Sequence, residues 1–138
     1  MRLASALVAL SILCSSAAIA DIKRHQSMPE ALQGSWALAA DDCGAADKPV
    51  VVLSAKGYAS ADTKCSIDWV SETPSPSGPV YSARLRCPGQ AAKRPTGARA
   101  TSSPTASNLI IRPDSANKIS IGASFGDLKA YQKCPAKE

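Results

Sequence analysis

Histidine occurs once in this 138-residue chain, at His25, phenylalanine once, at Phe125, and aromatic residues make up 4% of it. So few aromatics leave a small domain short of large apolar side chains, and covalent staples are expected to supplement its core. From Gly34 onward there is no histidine at all, which removes the commonest general base and metal ligand from the main body of the chain. The cysteines never approach the short paired spacing of a zinc site, and no metal is expected. The carboxylates are weak candidates for catalysis. Asp41, Asp42 and Asp47 cluster on a turn that solvates them, and Asp68, four positions before Glu72, alternates onto the outer face of its strand beside Ser66. Neither an enzyme nor a cofactor is expected. The formal net charge is +5, but its only local cluster, Lys93, Arg94 and Arg99, has no interleaved aromatic residue, so nucleic acid is not an expected partner.

Only one apolar stretch stands out, and it lies at the start. Arg2 is followed by an apolar run from Leu3 to Leu13 and then by Ala18-Ile19-Ala20 before Asp21, the small-x-small pattern after which a signal peptidase cuts. The run is shorter than the roughly 20 residues that span a bilayer, so no transmembrane anchor is expected. Cys14 offers a lipoprotein alternative, but bulky Leu13 occupies the place a small residue should hold. Residues 1–20 are therefore predicted to be a cleaved signal peptide, 21–33 a flexible N-terminal segment, and 34–138 a single β domain that is periplasmic or secreted. Within 21–33 a single helical turn is expected around Pro29–Leu32, capped by Ser27, with no contribution to the core.

Removing the signal leaves Cys43, Cys65, Cys87 and Cys134, an even set in an oxidising compartment, which predicts two disulfides. The remaining apolar residues come as short alternating runs separated by Pro, Gly, Ser, Asn and Asp, the pattern of an all-β domain. The clearest unit is a hairpin. Cys65, Ile67 and Trp69 share one face of a strand, Tyr81, Ala83, Leu85 and Cys87 share one face of another, and 71–79 forms the loop. Setting Cys65 opposite Cys87 places Ile67 opposite Leu85 and Trp69 opposite Ala83, at a spacing a disulfide accepts. A second hairpin pairs Leu109 and Ile111 with Ile121 and Ile119 around a turn at 112–117. Further strands are expected at Ser35–Ala40, Val50–Ser54 and Leu128–Cys134, and the Pro/Gly/Ala-rich stretch 88–107 shows no period. The sum is a small antiparallel meander barrel or sandwich of about seven strands. In a seven-strand meander the ends of the first and last strands share a rim, which predicts Cys43–Cys134. Sequential pairing, Cys43 with Cys65 and Cys87 with Cys134, is the alternative.

Gly34-Ser35-Trp36, opening the first strand after the helical turn, resembles the Gly-x-Trp element of calycin-type barrels, which include lipocalins and the small periplasmic inhibitors of bacterial metalloproteinases. The resemblance implies that Gly34 permits a tight start to the strand and that Trp36 closes one barrel end under a basic residue of the last strand, Lys129 or Lys133. The plainer reading makes Trp36 a core aromatic. With Tyr131-Gln132-Lys133-Cys134 at its end, the chain is also similar to small secreted bacterial proteins with four spaced cysteines, a likeness that implies export and a fold but no activity. The expected role is non-enzymatic: binding a small apolar ligand, or contacting an envelope protein through the loop Thr73–Pro79 or the basic loop Lys93–Arg99. The alternative is protease inhibition through residues 21–33, as the inhibitor resemblance implies.

Overall fold

Short alternating runs pair into nine antiparallel strands in the computed structural model, which describes residues 21–45, 47–88 and 105–136. They are β1 (Lys23–His25), β2 (Gly34–Ala37), β3 (Val50–Leu53), β4 (Gly57–Ala59), β5 (Lys64–Thr73), β6 (Val80–Cys87), β7 (Thr105–Ser115), β8 (Lys118–Gly122) and β9 (Lys129–Lys133). Strands β2 to β9 follow one another as a meander, and β9 returns to β2 through Trp36↔Lys133 and Ala37↔Gln132, closing an eight-stranded barrel. The extra strand, β1, lies beyond β4 on the same edge of the long β5, pairing through His25↔Val70 and Lys23↔Glu72. No helix among the described residues is long and apolar enough to cross a membrane. The predicted signal 1–20 with Cys14, the Lys93–Arg99 cluster and most of the stretch 88–107 lie outside the described residues.

Alternate residues supply the core: Val51 and Leu53 from β3, Ala83 and Leu85 from β6, Leu109 and Ile111 from β7, Ile119 and Ile121 from β8. Both predicted disulfides are present. Cys65–Cys87 joins directly opposed residues of β5 and β6 with Cα atoms 4.2 Å apart. Cys43–Cys134 spans 5.5 Å between Cα atoms, although an eight-stranded barrel puts the ends of its first and last strands at opposite rims. A reversal makes the link instead: the chain leaves β2, turns through a 3-10 segment at Ala40–Gly44, and reaches back to Cys134, whose N–H donates to the Ser35 carbonyl at 2.8 Å. The bridge crosses the seam where β2 meets β9.

Two β-bulges correct the predicted registers. Ile67 is opposite Leu85 as expected, but Trp69 is opposite Arg84 and Val70 is opposite Ala83, leaving Asp68 as an extra residue. A bulge advances the alternation by one, so Val70 takes the buried position and the half-buried Trp69 faces outward. In β7 the extra residue is Asp114, between Pro113↔Ile119 and Ser115↔Lys118. The strand runs through its proline to a two-residue turn at Ala116-Asn117, so Ile111 meets Ile121 and the expected Leu109–Ile121 pairing shifts by two positions. Asp114 accepts a 2.6 Å hydrogen bond from the buried Ser120 hydroxyl, which satisfies that group inside the wall.

The segment 21–33 differs from the expected coreless tail. Met28 is fully buried and Leu32 nearly so, the Met28 N–H donates to the Ala55 carbonyl at 2.9 Å, and β1 is hydrogen-bonded to β5. The predicted helical turn forms at Glu30–Leu32, but Pro29 occupies its cap position, with no side-chain cap from Ser27. The expected hairpin loop is also shorter, because Ser71, Glu72 and Thr73 belong to β5.

Candidate functional site

At one end of the barrel the sequence-derived closure residues assemble in part. Gly34 has φ +134°, a conformation L side chains rarely adopt, and a Cβ there would lie 3.3 Å from Cε of Lys133. Trp36 is fully buried and donates its indole N–H to the Leu32 carbonyl at 3.0 Å, so its one polar atom is satisfied. The Lys133 ammonium stands 5.3 Å from the Trp36 ring centroid and donates to the Ala31 carbonyl at 3.4 Å. Lys129 does not join them: it is exposed at the opposite end of β9, across from Ile121.

Beside this end, His25 and Glu72 approach to 2.7 Å, a contact that ties β1 to β5 at the point where the short β4 has already ended. Tyr81, directly across β6 from Glu72, has its hydroxyl pKa raised by burial and by the Glu72 charge. Tyr131 is raised as well, by burial and then by Tyr58. The His25–Glu72 contact bridges two neighbouring strands. The cysteine thiols of the barrel are oxidised and supply no nucleophile beside it.

Described residues line three clefts on the surface. One of about 440 Å³ lies at the Trp36 end, floored by Leu32, Trp36 and Ile119 and bordered by Tyr81 and Lys133. A polar hollow of about 770 Å³ runs along Asn117, Lys118, Gln132 and Ala136. The third, about 540 Å³, lies on the outer wall between the 74–79 loop and Phe125, with Val80, Ile110 and Arg112 beneath it. Phe125 is 67% exposed and Ile22, ahead of β1, 61%. Along the barrel axis, by contrast, Trp36, Met28, Leu53, Ile111, Ile119 and Val70 are fully buried.

Sequence reasoning marked the Thr73–Pro79 loop but not its apolar neighbours. Ile110 reads as a polar-face residue of a strand only once the β7 register is known, and Phe125 sits in a 3-10 turn, Phe125–Asp127, with no alternation around it. Trp69 carried a signal that pointed the wrong way, inward, because the Asp68 bulge is not visible as a pattern. Among family models, curated proteins and solved structures, none matches this chain.

Proposed function

We propose that the chain is an exported, non-enzymatic β-barrel that binds another protein of the envelope or extracellular space through its outer wall. The observation that carries this reading is the distribution of apolar surface. Large side chains fill the axis, while the groove beside Phe125 and the 74–79 loop is open on the outside. Exposed apolar surface of this kind on a small soluble fold marks an interaction site, and loops on a rigid scaffold are where contact residues collect. The two disulfides support an oxidising compartment, and with it export.

Inhibition of a protease through residues 21–33 has less support, because Met28 and Leu32 are core residues and β1 is committed to the sheet. The calycin-like reading is supported by the Gly34, Trp36 and Lys133 geometry at the barrel end. The test is differential capture. Immobilised oxidised protein, Phe125→Glu and Lys133→Met are each exposed to envelope and culture-fluid extracts. A protein retained by the parent and by Lys133→Met but lost on Phe125→Glu supports outer-wall contact. Loss on Lys133→Met alone would move the site to the barrel end.

A further inference from the structure

The bulge at Asp68 places Trp69 on the outer wall, where one arginine lies over its ring and a second is its cross-strand partner. The Arg24 guanidinium lies 4.5 Å from the ring centroid, and Arg84 is the residue directly opposite Trp69 on β6. Among the described residues Arg86 and Arg112 are ion-paired, to Asp68 at 2.9 Å and Asp114 at 3.3 Å, while Arg24 and Arg84 form no ion pair. The strip continues along the same outward face through Ser71 and Ser82, which are opposite each other, and Ser82 borders the apolar groove beside Phe125. Side chains two apart on a strand are about 7 Å apart, so the arginine pair and the groove are successive positions of one surface.

We infer that this strip binds an extended acidic segment of a partner protein, its carboxylates on Arg24 and Arg84 and an apolar side chain in the groove. The inference rests on the outer-wall reading above and names the chemistry of its partner. Charge complementarity selects the occupant: on a chain of net charge +5, the strip presents two cations that form no ion pair among the described residues. Stacking on the indole leaves the N–H edge of the Arg24 guanidinium available to a carboxylate, the arrangement for which arginine is suited. The succession of charged and apolar positions along the strip matches one face of an extended peptide, whose alternate side chains repeat at the same spacing as those of the strands beneath. A lipid surface would call for several protruding large apolar side chains, whereas Phe125 is the one such residue lining this groove and Val80 and Ile110 are half-buried beneath it.

The test titrates the oxidised protein with the synthetic peptide Glu-Ser-Glu-Ser-Leu-Ser, whose two Glu and one Leu share one face of an extended chain, at low salt and follows tryptophan fluorescence. There are two tryptophans, and Trp36 is sealed in the core, so the signal reports Trp69. A saturable change is expected, weakened about tenfold by either Arg24→Gln or Arg84→Gln. It should be abolished in about 1 M NaCl, where the screening length falls to about 3 Å, and absent with Lys replacing Glu in the peptide. No saturable change, an affinity in both variants equal to the parent's, or a response confined to phosphatidylglycerol vesicles would overturn the assignment. If the peptide fails while Phe125→Glu still loses the captured partner, only this inference falls; if both fail, the outer-wall reading falls with it.

Discussion

Lys133 holds its ammonium 5.3 Å from the centroid of the Trp36 ring, across the seam where β2 meets β9. The approach depends on Gly34, whose missing side chain leaves room for the lysine stem and whose φ of +134° an L side chain rarely adopts. Gly34→Ala is expected to cost about 1–3 kcal/mol, read as a lower urea midpoint at unchanged m. Lys133→Met, which keeps the stem and removes the charge, should cost about 0.5–1 kcal/mol. Equal midpoints for Gly34→Ala and the parent would remove the seam contact from the account.

The parity reversal in β5 makes a sharp pair of expectations. Val70 is fully buried opposite Ala83, and Trp69 is half-exposed. Val70→Asp places an unpaired charge in the barrel and should prevent folding, whereas Trp69→Ser should cost about 1 kcal/mol or less. The reverse order of severity, measured by near-ultraviolet circular dichroism and urea unfolding, would mean that the bulge is not there.

The disulfides close loops of different length. With sequence separations of 22 and 91, the chain-entropy relation gives about 3.4 kcal/mol for Cys65–Cys87 and about 4.6 kcal/mol for Cys43–Cys134. Replacing Cys43 and Cys134 together by Ala should therefore lower stability by about 1 kcal/mol more than replacing Cys65 and Cys87. Urea denaturation of the two double variants gives the order directly.

Alkaline pH provides an independent probe of the partly buried phenols. Burial raises Tyr81, with Glu72 adding to it, and burial raises Tyr131, with Tyr58 adding to it. Each phenol in the folded state therefore keeps its proton above pH 10, the ordinary tyrosine value, where the unfolded chain has released it. The folded state then binds more protons, and stability falls as pH rises from 10 through the folded-state values, while below that window it is unaffected by these groups. Tyr81→Phe and Tyr131→Phe should each flatten this decline in a thermal-unfolding series. A decline identical to the parent in both variants would assign it to other groups.

How far the sequence could lead is clearest in particular residues. Ile67 opposite Leu85 and the Cys65–Cys87 bridge follow from strict alternation, which is readable wherever a strand is regular. An extra residue leaves no trace in hydropathy, so Asp68 and Asp114 displaced the expected partners of Trp69 and Leu109. Lys23-Arg24-His25 and Gly57-Tyr58-Ala59 are strands because neighbouring backbone groups need partners, and neither has an apolar alternation to announce it. Cys43–Cys134 was legible as a pair but not as a geometry, since it depends on a chain reversal rather than a shared rim. At the barrel end, the calycin resemblance allowed Lys129 and Lys133 equally, and only the pairing Trp36↔Lys133 separates them. The outer groove was half visible: its proline-rich loop stands out in the chain, while Ile110 and Phe125 join it only in three dimensions.

Amide chemical-shift mapping of the oxidised protein bound to the partner it captures tests outer-wall recognition most directly. The account expects the perturbed amides to run from Trp69 and Ser71 through Thr73 and Ser82 to Ile110 and Phe125, the residues of the arginine strip and its groove. Perturbations centred instead on Leu32, Trp36, Tyr81 and Ile119, the cleft at the Trp36 end, would contradict it and place recognition at that end of the barrel.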